Sequence, residues 1–170
     1  AALHTSQPAA VLSTGLCGAL DPAIPAQSIF VATEVRSESR AFPTRLPVTP
    51  CNGFCGPLLS QDRVAVTPAD KAALFSSGAR AVEMEAAAVA AQAERSGIPF
   101  YCVRVISDDA HVSLPLDFNR YRDPSGRFSR ARIALAALAR PAVLAPLMRF
   151  DAACRRSAIL LGESLVDCRF

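Results

Sequence analysis

The sequence predicts an α/β fold, on two observations. Short apolar runs rich in Val and Ile alternate with alanine-rich segments that end at glycine, the order typical of strands and helices that cover one sheet. Phe100–Ile106 is almost continuously apolar, as in a parallel-sheet strand buried on both faces. The chain has 170 residues, half of them apolar, so it can bury a sizeable core, and we expect residues 1–170 to form a single domain.

The N-terminal third is predicted to contain two strands and two irregular connections. Ala9–Thr14 and Ser28–Val35 are the strands. The connection Thr14–Pro22 is rich in turn residues, and within it Thr14–Gly18 forms a loop whose backbone N–H groups can hold an anion or a ribose oxygen. Arg36–Gly56 contains several prolines and no sustained period, so we expect an irregular excursion, either a lid or an interface loop.

A strand and a well-marked helix follow. Pro57–Val66 is predicted as the strand. Thr67 has the character of an N-cap, with Pro68 at the first helical position and Asp70 in the first turn. This helix is expected to stop at Gly78.

The next unit is predicted as strand, helix and buried strand. Ala81–Glu83 is the first strand, and the helix Ala86–Ser96 ends at Gly97. Arg104 is the one charged residue inside the buried strand Phe100–Ile106. We expect it to pair with a carboxylate, because a buried charge needs a partner.

The C-terminal part is predicted as a polar loop, Asp109–Gly126, and two helices, Arg127–Arg140 and Phe150–Val166. The most apolar long segment, Ile133–Met148, is interrupted by one arginine and two prolines, so we expect no membrane span. With no signal peptide visible, the expected location is the cytoplasm.

Composition argues against several functional classes. The net charge is +3 and the arginines are scattered, so we expect no nucleic-acid partner. The cysteines occur in unlike contexts, which favours reduced thiols over a disulfide framework. Cys51 and Cys55 are the only close pair and no His cluster accompanies them, so we expect no metal site.

Four carboxylates mark the candidate site. Glu83 and Glu85 follow one predicted strand, and Asp108 and Asp109 follow the next. In a βαβ unit these strands are parallel, so the carboxylates are expected to emerge at one sheet edge, where α/β sheets bind ligands. One acid can bind the hydroxyls of a sugar while another protonates a leaving group.

Each site residue also has an alternative, purely structural interpretation. Asp108 is either an acid that protonates a departing heterocycle or, with Ser107, a cap on the next segment. Glu85 either accepts hydrogen bonds from ribose hydroxyls or complements the helix dipole. Met84 either packs in the core or turns toward a sugar ring.

Three segments, in order, resemble the nucleoside phosphorylase and nucleosidase superfamily. They are Val11–Pro22 with Ser28–Glu34, similar to the family's glycine-containing loop and next strand; Gly56–Arg63, similar to its Gly-x-x-x-Ser-x-Asp strand; and Val82–Glu85 with Ser107–Asp108, similar to its Met-Glu and Ser-Asp pair. The resemblance covers roughly residues 11–110. It implies a three-layer α/β sandwich with a mixed, largely parallel sheet, of which the family's first strands lie before the start of this sequence.

The resemblance implies cleavage of a purine N-ribosidic bond. Asp108 would protonate or hydrogen-bond N7 of the purine, and Glu85 would bind the ribose hydroxyls. The other substrate-binding positions that it implies are Glu83, Met84, Ser107, Thr14, Gly15, Leu16 and Val64. The expected ligand is a purine nucleoside or another adenosyl-type molecule. No cofactor is implied, apart from inorganic phosphate as co-substrate in a phosphorylase, and family members are usually homo-oligomers.

The sequence departs from the family pattern at several positions. Leu16 replaces a substrate-contacting Ser or Thr, Ser13 replaces the phosphate-binding Arg of some phosphorylases, and Val64 replaces a stacking Phe. The strand that carries a water-activating Glu or phosphate ligands in the family precedes this sequence. The hopanoid-associated branch, which releases adenine from an adenosyl-lipid precursor, is also similar, and apolar residues at 16 and 64 suit a greasy substrate.

Two further hypotheses follow from the missing segment. One is a non-catalytic subunit that binds nucleosides or serves assembly. The other is a truncated gene product that folds poorly, since losing the first strands would expose a sheet edge.

Overall fold

The computed structural model describes residues 8–49, 52–123 and 128–170. Six strands and four α-helices are formed there, with a short 3-10 helix (Phe118–Tyr121) after the last strand. In chain order they are β1 (Val11–Ala19), β2 (Ile29–Arg36), β3 (Ala41–Pro43), β4 (Phe54–Ser60), α1 (Pro68–Phe75), β5 (Ala81–Glu83), α2 (Ala86–Arg95), β6 (Phe100–Asp108), α3 (Arg130–Leu138) and α4 (Pro141–Val166).

The strands form one mixed sheet in the order β3-β2-β4-β5-β1-β6. The pairs β1–β6, β2–β4 and β4–β5 are parallel, and the pairs β1–β5, β2–β3 and β2–β6 are antiparallel. The β2–β6 pairing links two strands that are distant in this order, so five strands close into a ring. The predicted α/β class with a mixed sheet is confirmed.

The predicted parallel βαβ unit between β5 and β6 is wrong. β5 runs antiparallel to β1 while β1 runs parallel to β6, so β5 and β6 point in opposite directions with β1 between them. Gly18 pairs with Val82 on one side and, past a bulge, with Asp108 on the other. The carboxylates after β5 and β6 therefore approach each other across the end of β1.

Helices cover both faces of the sheet. Alternate residues of each strand point to opposite faces, and each face carries an apolar cluster. Phe30 and Cys102 belong to the cluster that includes buried alanines of α2. Val31 and Val103 belong to the opposite cluster, where Leu161 of α4 packs. All nine residues of β6 are buried, as the continuous apolar run predicts.

β1 is longer than predicted, and the segment Thr14–Gly18, which the sequence predicts to be a loop, is part of this strand. It pairs with β6 from Val11 to Gly18, so the expectation of a turn-rich connection that begins at Thr14 is wrong. Gly15 has φ +151, and a Cβ there would lie 2.7 Å from Nη1 of Arg104. Glycine at this position makes room for a buried guanidinium against the strand.

The predicted signals at the helix ends are confirmed. Thr67 and Asp70 form a capping box on α1, in which the threonine side chain accepts from Asp70 N–H and the carboxylate accepts from Thr67 N–H at 3.0 Å. These hydrogen bonds from Thr67 lower the pKa of the Asp70 carboxyl. Gly78 and Gly97 adopt positive φ values of 85° and 65° after α1 and α2.

Three predicted boundaries differ from the structure. The excursion 36–56 contains β3 and the start of β4, and the strand predicted over Pro57–Val66 already ends at Ser60. The last helix begins at Pro141 rather than at Phe150, since proline is tolerated in the first turn. Parts of the predicted excursion, loop and helix at residues 50–51 and 124–127 lie outside the described residues.

The cysteines follow the predicted reduced state only in part. Cys17, Cys55, Cys102 and Cys154 are free thiols, whereas Cys168 is disulfide-bonded, so that prediction is wrong for Cys168. Cys51 of the predicted loop pair lies outside the described residues. No helix within the described ranges has both the length and the apolar character to cross a membrane.

Candidate active site

A cavity of about 290 Å³ gathers most of the predicted site residues. The predicted residues in its wall are Leu16, Val64, Glu83, Met84, Glu85, Ser107 and Asp108. Thr14 and Gly15, by contrast, lie in the middle of β1 and are not among the lining residues. Glu85 and Asp108 thus face one cavity, although their strands run in opposite directions.

Gly18, at the end of β1, makes space for the Asp108 carboxyl. A Cβ at Gly18 would lie 3.2 Å from Oδ2 of Asp108, closer than an ordinary contact. The bulge in the β1–β6 ladder lies between Cys17 and Gly18. A side chain at position 18 would therefore press on the carboxyl, and glycine allows the close approach.

Asp108 is buried and held at both oxygens. Its side chain is 8% exposed, and Oδ2 accepts a hydrogen bond from Nζ of Lys71 at 2.6 Å. Oγ of Ser107 donates to Oδ1 at 2.5 Å and also lies 3.1 Å from the Cys17 carbonyl. Ser107 and Lys71 together give the Asp108 carboxyl one defined orientation.

Lys71 is a site residue that sequence reasoning missed. Its side chain is 1% exposed, although it belongs to the short helix α1. Its ammonium donates to Asp108 and to the backbone carbonyls of Asp109 (2.5 Å) and Val112 (2.9 Å). The composition does single this residue out, since Lys71 is the only lysine and the chain also has 17 arginines.

Glu83 forms the predicted carboxylate partner of Arg104. Nη2 of Arg104 donates to Oε2 of Glu83 at 2.7 Å and to Oγ of Ser13 at 2.8 Å, and both charged side chains are buried. Glu83 also accepts hydrogen bonds from the backbone N–H groups of Glu85 and Ala86, at the start of α2. Its carboxylate is therefore engaged by the protein itself, and the predicted contact of Glu83 with substrate stays a prediction.

Glu85 is more exposed than Glu83 and makes different contacts. It occupies the N-cap position of α2, yet its side chain makes no capping hydrogen bond, which Glu83 supplies instead. Partial burial and the nearby Glu83 carboxylate raise the pKa of Glu85. Glu83 thus supplies the cap, whereas the alternative that Glu85 complements the helix dipole stays a prediction. The Glu85 carboxyl lines the cavity, with half-buried Met84 beside it.

Three phenylalanines form part of the wall that the sequence did not predict. Phe118 comes from the 3-10 helix, Phe128 precedes α3, and Phe150 lies in α4. The ring of Phe118 lies 6.1 Å from that of Phe150 and 6.4 Å from that of Phe128. No spacing marks these residues, because the loop and the helices meet only in three dimensions.

A second cavity of about 330 Å³ shares Ser107, Asp108 and Phe150 with the first and extends along α4 to Arg149. Asp108 is therefore reached from two cavities. Among residues 8–49, 52–123 and 128–170, no cluster of three His, Cys, Asp or Glu residues is arranged to hold a metal ion. The expected absence of a metal stays a prediction.

Comparison with known proteins gives a consistent family. Residues 52–141 match the sequence profile of the Phosphorylase superfamily. A Helicobacter pylori MTAN variant, solved with 5′-methylthioadenosine in its active site, aligns with a TM-score of 0.63 and 19% identity over 97% of this chain and 71% of that one. A 5′-methylthioadenosine/S-adenosylhomocysteine nucleosidase from S. pneumoniae, solved with a transition-state inhibitor, aligns with a TM-score of 0.59 and 20% identity. The alignment covers 94% of this chain and 71% of that one.

An MTAN from Chlamydia trachomatis aligns with a TM-score of 0.51 and 23% identity over 62% of this chain. The aligned part spans about half of that protein, 52% of its length. At these identities the structural matches establish a shared fold.

Proposed function

Because the chain belongs to the Phosphorylase superfamily, we propose that its cavity cleaves the N-ribosidic bond of a purine nucleoside. The observation that carries the proposal is the placement of Asp108 and Glu85 in one cavity, beside Ser107 and Met84. A cavity of about 290 Å³ is slightly smaller than the usual range for small-molecule sites, so it suits a small ligand.

Asp108 would act on the purine. When the C1′–N9 bond breaks, its electron pair moves into the purine, and a proton must reach the base. For this step Asp108 must enter as the protonated acid: its proton passes to N7, water or phosphate adds to C1′, and the carboxylate left behind is stabilised by Lys71 at 2.6 Å and Ser107 at 2.5 Å. The burial of Asp108 supports this role, because water competes little with the purine for it.

Glu85 would act on the sugar. A carboxylate can accept two hydrogen bonds from vicinal hydroxyls. Its negative charge also stabilises the positive charge that develops on the ribose as the base departs. Glu83 and Arg104 would hold Glu85 in place rather than contact the sugar, since Glu83 accepts the Glu85 N–H at 2.9 Å. Met84 would then pack on the ribose ring.

The lining favours an adenosyl-type substrate with an apolar substituent. Leu16 and Val64 bring aliphatic carbon to the cavity, and the phenylalanines at 118, 128 and 150 add aromatic surface. The Helicobacter pylori MTAN variant was solved with a ligand of this class, 5′-methylthioadenosine. Removing apolar surface from water lowers the free energy, so a hydrophobic 5′ group would add affinity here.

The test is base release by the purified chain, wild type and Asp108→Asn, from adenosine and 5′-methylthioadenosine, each with and without phosphate. We expect the wild type to release adenine, and Asp108→Asn to lower the rate by about 10²- to 10⁴-fold, the usual contribution of a positioned acid. Circular dichroism checks that the variant keeps its secondary structure.

Arg40→Met is the matched control, because Arg40 forms an exposed ion pair with Glu94 away from the cavity. It should release adenine at the wild-type rate. An Asp108→Asn variant that is folded and equally active would remove Asp108 from the mechanism. Rates that depend on phosphate identify a phosphorylase, and rates that do not depend on it identify a hydrolase.

A further inference from the structure

We propose that Lys71 is a positioning residue for base release, which fixes Asp108 and the segment after it and stabilises the carboxylate that Asp108 becomes. This inference rests on the proposed function and adds a residue that neither the sequence motifs nor the family resemblance singled out. The chain has 17 arginines and a single lysine, and that lysine contacts the candidate acid.

The burial of Lys71 is unusual for its residue type. Lysine is almost never fully buried unless it is paired, yet this side chain is 1% exposed. Removing an ammonium from water costs several kcal/mol unless its donors find partners. The partners here are three acceptors around Nζ: Asp108 Oδ2 at 2.6 Å, the Asp109 carbonyl at 2.5 Å and the Val112 carbonyl at 2.9 Å.

This geometry suits lysine and does not suit arginine. A compact ammonium has three donors that point in different directions, which matches one carboxyl oxygen and two carbonyls converging on a point. A guanidinium is a flat fork that pairs best with two oxygens side by side. An arginine at position 71 would also need more space than a fully buried site allows.

Lys71 links three parts of the site. It projects from α1, contacts the acid at the end of β6, and binds two carbonyls of the segment Asp109–Val112. Leu114, two residues beyond Val112, lines the cavity. The ammonium therefore fixes both the acid and the start of the loop that bounds the ligand.

The charge of Lys71 also favours the proton transfer. In the proposed step Asp108 starts as the protonated acid: its proton passes to the purine as the C1′–N9 electrons move into the base, and a negative charge is left on its carboxyl group. A cation 2.6 Å away stabilises that charge and so lowers the barrier. Since the ammonium is almost fully buried, it acts on the ligand through Asp108.

The first test compares the kinetics of Lys71→Met with those of wild type. Methionine keeps a similar length and fills apolar space, but it removes the charge and the three donors. We expect kcat for adenine release to fall about 100-fold, as when a group that stabilises developing charge is removed, with KM changing much less. The double variant Lys71→Met with Asp108→Asn should be no slower than Asp108→Asn alone, because Lys71 acts through Asp108.

The second test needs no substitution. Protein labelled with ¹⁵N at the lysine side chain has one ammonium site, since the chain has one lysine. We expect its NMR signal to shift when adenine fills the cavity, with adenine binding followed separately by calorimetry. An unchanged signal would show that the ammonium beside Asp108 does not respond to the ligand.

Two results would overturn the inference: wild-type kcat in a folded Lys71→Met variant, or an unchanged lysine signal at saturating adenine. If the wild type releases adenine and either result is found, only the role of Lys71 fails. If the wild type neither releases base nor binds adenine, the proposed function fails and Lys71 has no such role.

Discussion

The carboxyl groups of two buried ion pairs line the same cavity, and the basic partner of each comes from a different part of the fold. Glu83 is held by Arg104 from the neighbouring part of the sheet and by backbone N–H groups of α2. Asp108 is held by Lys71, from a helix outside the sheet, and by the adjacent Ser107. The first pair joins core elements, whereas the second joins the core to the segments that surround the ligand.

The comparison shows why equal burial does not imply equal function. In both pairs the acidic residue is less than a tenth exposed. The oxygens of Glu83 accept from two backbone N–H groups that would otherwise lack partners at a helix start, so removing them would weaken α2. Asp108 caps no helix, and its hydrogen bonds orient it at the edge of the cavity. We therefore expect the first pair to affect mainly stability and the second mainly catalysis.

The largest expected effect on stability comes from Arg104→Met. This change leaves the buried Glu83 carboxylate without its counter-charge and should lower the free energy of unfolding by about 3 kcal/mol, the lower end for a broken buried pair because two backbone donors remain. Urea denaturation measures it. Arg40→Met, in the exposed pair with Glu94, should cost less than about 1 kcal/mol. Equal stability of the two variants would contradict the structural role of the Glu83–Arg104 pair.

A smaller effect is expected for Glu85→Gln, which should lower activity but raise stability relative to wild type at higher pH. The loss of a charged acceptor for the ribose should reduce kcat/KM for adenine release by about 10- to 100-fold. Because burial and the Glu83 charge raise the pKa of Glu85, the folded state holds this proton more tightly than the unfolded state. Wild type therefore loses stability as pH rises through that raised pKa, whereas the glutamine variant does not.

Urea denaturation at about pH 4 and about pH 7 measures this difference. The stability of Glu85→Gln relative to wild type should increase from the lower to the higher pH. A relative stability that falls over the same interval would indicate that the Glu85 carboxylate stabilises the fold, as Glu83 does.

Local signals in the sequence were sufficient for much of the fold. The capping box at Thr67 and Asp70, the glycine stops at 78 and 97 and the continuous burial of β6 all depend on neighbours in the chain. The need of Arg104 for a carboxylate was also predictable, because a charge inside an apolar strand has few ways to be compensated.

Long-range pairing was not predictable in the same way. The relative direction of β5 and β6 depends on β1, which is inserted between them, and no pattern within residues 81–108 reveals that insertion. The local pattern predicts a loop at Gly15 and Gly18, whereas the structure needs glycine at both positions because Arg104 and Asp108 pack closely against β1.

The site was predictable where motifs carried it and not elsewhere. The Met-Glu and Ser-Asp motifs located residues 84–85 and 107–108, all of which line the cavity. Lys71 and the three phenylalanines come from segments without a motif. A single domain, a homo-oligomer, a cytoplasmic location and the absence of a nucleic-acid partner stay predictions.

The central claim is that one cavity holds a purine against Asp108 and a ribose against Glu85. A crystal structure of the chain with adenine and a ribose-like cation analogue tests it most directly. We predict N7 of the adenine within hydrogen-bond distance of the Asp108 carboxyl, and the sugar hydroxyls within hydrogen-bond distance of the Glu85 carboxyl. Adenine bound elsewhere, or bound here with neither carboxyl in contact, would contradict the account.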